Sequence, residues 1–201
     1  MNCIICIHLL FYWTMVGLFD DRKGRGFPSA VVNSLKNQFF VTLPVSHWVL
    51  TYYPRETLTF NESLFLLPLF VILGDVYFYM THRLMHTPLL WRLHKHHHRT
   101  SVSVSRSLDA SVMEHCFCNL GSFAAGTVIL SQMDYVPHVY VLYIWTAVAT
   151  WGSCTGHSNG NAPGDNEEHL MHHKHPAYNY GFGLYVFDRL FGTYKTCVEI
   201  K

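Results

Sequence analysis

His82-Arg-Leu-Met-His-Thr-Pro-Leu-Leu-Trp-Arg-Leu-His-Lys-His-His-His98 places six histidines in seventeen residues, directly after an apolar run. His82 and His86 are four apart, and His94, His97 and His98 are separated by three and one, so on helices each set shares a face. The same H-x-x-H-H pattern recurs at His169, His172 and His173. Three helical pieces therefore present eight imidazoles, while His96 and His175 fall off those faces. Eight neutral imidazoles are too many for one first-row metal ion and suit two. A merely polar or pH-sensing face has no need of the same spacing twice.

Working outward, Asp75 lies in the preceding apolar run, two turns before His82 and on the same face. A carboxylate in such a segment has a partner. The two readings are a hydrogen bond that orients a ligand imidazole and an interfacial aspartate at a helix kink. His157 follows the last apolar run and is either a further ligand or a loop histidine.

The chain has 201 residues, 50% hydrophobic and only 13% charged, with a mean hydropathy of +0.13. That balance favours a membrane protein. Apolar runs lie at about 1–19, 38–53, 62–81, 116–130 and 136–152, near or below the roughly 20 residues that span a bilayer as a helix. The last two are joined by the short polar turn 131–134 and are expected to form a helical hairpin. The expected fold is an all-α integral membrane helical bundle with a histidine-rich metal site. Residues 1–60 form amino-terminal membrane helices and 61–201 a catalytic domain, together one structural unit. Residues 1–19 lack a basic amino-terminal region and a cleavage pattern, and read as a retained helix.

Thirteen of the fourteen Lys and Arg fall on one side of that layout, the exception being Arg55. The positive-inside rule then puts both histidine windows in the cytosol. Asn61-Glu-Ser63 is a formal glycosylation acceptor on the opposite side. A net charge of +1 gives no basic groove and no expectation of nucleic acid. Cys3, Cys6, Cys116, Cys118 and Cys154 fall in apolar segments and read as small buried hydrophobes, with Cys197 near the tail. His8, His47, His115 and His138 are scattered and read as structural.

The ordered set Asp75 to His82-Arg-Leu-Met-His86, Leu93 to His98, Glu114, Gly156-His-Ser158, His169-Leu-Met-His-His173, Asn179-Tyr-Gly181 and Phe187-Asp-Arg-Leu-Phe-Gly-Thr193 resembles the fatty acid hydroxylase and sterol desaturase superfamily of membrane di-iron enzymes. The resemblance covers about 65–195. It implies that His82, His86, His94, His97, His98, His169, His172 and His173 ligate two iron ions, with His157 as a further candidate, and it sets Glu114 and Asn179 beside the ligands as supporting groups. Zinc is an alternative occupant of an all-histidine site on purification. Two departures stand out: Leu170 replaces a common aspartate, and Asn159-Gly160 replaces the usual Gly-Tyr.

The resemblance further implies dioxygen as co-substrate, a lipid substrate, an endoplasmic reticulum membrane, and cytochrome b5 or its reductase as electron donor. The expected activity is hydroxylation of a sterol or fatty acyl group in lipid biosynthesis. The sterol is favoured by the H-x-x-x-H first box and by the absence of a fused electron-donor segment. Histidine spacing does not separate a hydroxylase from a desaturase. The same histidines are also compatible with a non-catalytic zinc-binding membrane protein and with a degenerate relative that lacks substrate access.

Overall fold

The computed structural model describes residues 3–21, 26–98, 102–164 and 166–196; Cys197 and the tail through Lys201 lie outside them. Helix α1 is Cys3–Phe19, and α2 is Phe27–Asn37, which runs on through a π-helical stretch, Gln38–Thr42, into α3, Leu43–Thr51. Helices α4, Phe60–Phe65, and α5, Leu67–Met85, follow, then α6, Trp91–His98. The short α7, Val112–Glu114, continues through a second π stretch, His115–Leu120, into α8, Gly121–Ser131. Helices α9, Val139–Thr155, α10, Glu167–Lys174, and α11, Val186–Leu190, complete the order. No strand occurs among the described residues, in agreement with the all-α expectation.

Local sequence explains the boundaries that position the site. Thr59 and Glu62 form a reciprocal capping box at α4. Pro68 stands in the first turn of α5, where its missing N–H costs nothing. Thr87-Pro88 stops the helix just after His86, because the residue before proline is pushed out of helical geometry. Asn166 caps α10 by accepting from the His169 N–H, and Ser111 caps α7 by accepting from the Glu114 N–H.

Helix α1 packs on α9, with Tyr12, Met15 and Val16 against Cys154, Val104 and Leu108. Helix α5 packs on α8, and Phe70, Leu130, Leu142 and Trp145 fill the space between them and α9. Gly126 permits that approach, since a Cβ there would overlap the Phe70 ring. The amino-terminal helices are tied to the segment after α6: Asn37 Nδ2 donates to the Leu108 and Ala110 carbonyls at 2.9 and 3.0 Å. The expected hairpin is present as α8, a turn with Asp134 at φ 63°, and α9.

No helix among the described residues is long and apolar enough to cross a membrane. Helices α1 and α9 have 17 residues each, about 26 Å at 1.5 Å per residue. Helix α5 has 19 residues but carries Asp75, His82 and Arg83. The apolar run at 38–53 begins inside a helix whose first part is polar, so the runs and the helices do not coincide. Large apolar side chains nonetheless face outward, among them Phe39, Phe40, Trp48, Phe65 and Phe117. In the sequon, Asn61 is exposed, whereas Ser63 is fully buried and its hydroxyl accepts from the His138 N–H at 2.8 Å.

Candidate metal centre

The ends of α5, α6 and α10 converge with His157, two residues beyond α9, and nine imidazoles meet in two groups. His82, His86, His94, His98 and His172 form one; His97, His157, His169 and His173 form the other, the ligand atoms within each lying within 4.8 Å of one another. The H-x-x-H-H spacing therefore does not keep its three rings together. In α6 the i, i+4 pair His94 and His98 joins the first group and His97 the second. In α10 the pair His169 and His173 joins the second group and His172 the first. His82 and His86 from the end of α5 bring the first group to five, and His157 brings the second to four.

The ring nitrogens that face inward are all Nε2. His82 Nε2 lies 3.1 Å from that of His94 and 3.3 Å from that of His86; His98 approaches His94 at 2.9 Å and His172 at 3.2 Å. In the second group, His157 Nε2 lies 3.1 Å from His97, and 3.3 Å from both His169 and His173. The outer nitrogens explain this orientation. His82 Nδ1 donates to the Tyr180 carbonyl at 2.9 Å, His172 Nδ1 to the Tyr178 carbonyl at 2.6 Å and His157 Nδ1 to the Ser153 carbonyl at 2.9 Å. A carbonyl only accepts, so Nδ1 holds the proton and Nε2 turns a lone pair inward.

This arrangement fits a cation and little else. One lone pair on His157 Nε2 cannot accept hydrogen bonds from three neighbours, and adjacent inward lone pairs repel unless a positive charge sits between them. Burial, with the neighbouring rings adding to it, lowers His82 to about 3, His86 to about 2 and His98 to about 4. Burial likewise holds His94, His97, His169, His172 and His173 well below 6.5. These eight rings are thus neutral at physiological pH, the form in which imidazole binds a metal. Imidazole donors suit iron, zinc, copper or nickel.

Glu114 stands where the order of the motifs placed it: His94 Nδ1 is 2.8 Å from its Oε1. Burial pushes the Glu114 carboxyl up and His94 down, whereas a dication beyond His94 Nε2 favours the carboxylate and a donating Nδ1–H.

Asp75 corrects one expectation. Its carboxylate accepts the backbone N–H groups of Phe182, Gly183 and Tyr185 on Oδ1, at 2.9, 3.0 and 3.3 Å, and of Val186 on Oδ2 at 3.1 Å. It anchors the loop before α11 rather than an imidazole. The reason is steric convergence: that loop folds over the middle of α5, and a buried carboxylate there satisfies four donors at once.

Asn179 sits at φ 56° between the two carbonyls that orient His82 and His172. Its Nδ2 donates to the Glu168 and Lys195 carbonyls at 3.1 and 2.8 Å, and its Oδ1 accepts from the Lys195 N–H at 2.8 Å. Asp188 completes the turn by accepting the N–H groups of Tyr180 and Gly181. Motif reading missed Asp188 as a functional group, although it lies in the Phe187–Thr193 stretch, and it missed the Ser153, Tyr178 and Tyr180 carbonyls, which carry no residue-type signal. Asn159 and Gly160 both take positive φ, 53° and 80°, in an exposed turn beyond His157. Such a turn suits Asn-Gly.

His96 faces outward and reaches Asp109 at 3.0 Å, and His175 is exposed. His8, His115 and His138 are structural: His8 pairs with Thr150, His115 with Thr42, and His138 caps α9. The described cysteines form no disulfide with one another, and none joins a metal-ligating group among the described residues.

A family model for the fatty acid hydroxylases matches residues 67–193. The chain is 27% identical to human fatty acid hydroxylase domain-containing protein 2 over 94% of its own length and 65% of that protein's. It is 28% identical to a Delta(7)-sterol 5(6)-desaturase of Leptosphaeria maculans over 64% of this chain and 36% of that one. A very-long-chain aldehyde decarbonylase of Oryza sativa subsp. japonica is 27% identical over 80% of this chain and 59% of its own. The match thus covers less than two thirds of each relative's own length, and only 36% of the sterol desaturase's. No solved structure matches it significantly.

Proposed function

The chain belongs to the fatty acid hydroxylase family, and from that premise we propose that it is an O2-dependent di-iron lipid hydroxylase. The observation that carries the reading is the division of nine inward Nε2 donors into a five-histidine and a four-histidine group. A pair of iron ions with dioxygen supplies the oxidising power for an unactivated C–H bond, which no side chain has. His82, His86, His94, His98 and His172 would hold one ion, and His97, His157, His169 and His173 the other. The protein's own part is to keep the imidazoles neutral, to fix their tautomers through Glu114 and the Ser153, Tyr178 and Tyr180 carbonyls, and to shield the site from water.

An apolar cavity of about 180 Å³ lies beside the histidines, lined by Ile4, Val49, Leu120, Phe123 and Trp145 among others. It suits a sterol or fatty acyl substrate. A desaturase outcome at the same site is the alternative. The outward Phe39, Phe40, Trp48, Phe65 and Phe117 support placement in a membrane, and the excess of Lys and Arg beside the histidine windows supports a cytosolic face. The endoplasmic reticulum as the membrane and cytochrome b5 or its reductase as donor are part of the proposal on family resemblance alone. Expression in cells, with lipid extracts compared between wild type and His172→Ala, tests the activity. A hydroxylated lipid found only with wild type supports it, a new alkene supports the desaturase, and identical lipid profiles contradict both.

A further inference from the structure

The apolar cavity and the histidine site are separated by a neck. A small chamber of about 20 Å³ lies against the histidines, bordered by His82 and His94 from one group and His97, His157 and His169 from the other. Four residues line both spaces: Phe78, Phe182, Asn119 and Ser153. Two of them are aromatic, with ring centroids 5.4 Å apart. The other two, Asn119 and Ser153, are polar.

Most polar groups deeper in the cavity wall already have partners. His8 Nδ1 is 3.0 Å from Thr150 Oγ1, and His115 Nε2 is 2.8 Å from Thr42 Oγ1. Thr146 Oγ1 donates to the Leu142 carbonyl at 2.7 Å. At the neck, Asn119 Nδ2 lies 3.3 Å from His115 Nδ1, while among the described residues Asn119 Oδ1 and Ser153 Oγ make no hydrogen bond. Both are half-buried and face the space a reacting group must cross. A hydroxyl and an amide oxygen left open in an apolar passage are costly unless a ligand's polar atom meets them.

We propose that the substrate is a lipid bearing a hydroxyl group on, or next to, the carbon that is oxidised, and that this hydroxyl donates to Asn119 Oδ1 and accepts from Ser153 Oγ at the neck. The apolar body then fills the larger cavity, with Phe78 and Phe182 against the first carbons. Val45 and Val128 line that cavity and are themselves exposed, which marks where it reaches the surface. This inference rests on the lipid-oxidising reading and narrows it: a saturated chain attacked far from any oxygen does not use these two groups. Ser153 also holds His157 through its backbone carbonyl, so its hydroxyl can be removed without touching that contact.

The test is equilibrium binding of radiolabelled dodecan-1-ol and dodecane to the full chain in lipid nanodiscs, which needs no turnover. The double variant S153A/N119L is expected to lose about tenfold in affinity for the alcohol, as for two lost hydrogen bonds, while binding the alkane as wild type does. Retained alkane binding also shows that the cavity has folded; if it is lost, S153A alone decides, with an expected fall of about threefold for the alcohol only. An alcohol-to-alkane ratio that is the same in wild type and variants overturns the proposal. Failure of wild type to bind either probe overturns the lipid reading itself, and the proposal with it.

Discussion

His98 and His172, from α6 and α10, bring their Nε2 atoms within 3.2 Å of each other although 74 residues separate them. That contact joins the two H-x-x-H-H boxes across the floor of the site. It also shows how each box is used: one ring of α10 crosses to a group otherwise built from α5 and α6.

The pH dependence of the metal-free protein follows from burial. His82, His86 and His98 fall from an ordinary 6.5 to about 3, 2 and 4 in the folded chain. Between 6.5 and those values the unfolded chain binds more protons than the native one, so stability falls as pH falls through this window. The loss approaches about 1.4 kcal/mol per histidine per pH unit. Glu114, raised by burial, acts with the opposite sign above its ordinary 4.5, but it is one group against many. Chelated protein at pH 5.5 is expected to melt at least about 10 °C below its value at pH 7.5. Equal melting temperatures at the two pH values would show that the rings are not buried as neutral species.

Asp75 accepts four backbone N–H groups, so Asp75→Ala strands them together. The expected cost is roughly 3 kcal/mol or more, read as a lowered melting temperature by circular dichroism in detergent. Asp75→Asn keeps one acceptor oxygen and is expected to fall between. If Asp75→Ala melts with wild type, the anchoring role assigned to this carboxylate is wrong.

Asn179 combines a left-handed backbone with three side-chain hydrogen bonds. Its neighbours' carbonyls orient His82 and His172, both in the five-histidine group. Asn179→Ala is therefore expected to weaken metal binding at that group about 10-fold or more while sparing the other. Asn179→Gly, which tolerates the positive φ, is expected to recover part of it. Competition with a chelator of known affinity measures both, and a uniform loss across the two groups would count against the assignment.

The histidine boxes were legible because i, i+4 spacing is a property of one helix, and every ring they named arrives at the site. Their partition was not, because whether His97 sides with His94 or His157 depends on where α9 and α10 lie. His157 itself carried no spacing signal, and its place becomes plain only beside His169 and His173. Asp75 misled for the same reason: a seven-residue interval identifies a shared helix face, but its real partners, 182–186, come from a loop more than a hundred residues later. The Tyr178 and Tyr180 carbonyls are main chain and leave no mark in composition. Apolar runs predicted helices well and their ends poorly, since helix ends follow Pro68, Pro88 and the caps at Thr59, Ser111 and Asn166 rather than hydropathy.

The most direct test of the paired centre is metal stoichiometry, by mass spectrometry of protein expressed with iron and purified without oxygen, together with Mössbauer spectra of the iron-57 form. Wild type is expected to hold two ions per chain as a coupled pair. His157→Ala, which leaves only three rings in its group, is expected to hold one and to lose the coupling, whereas His86→Ala leaves four rings in the other group and is expected to keep two. A single ion in wild type, or two ions retained by His157→Ala, would contradict the division of the nine histidines into two metal sites.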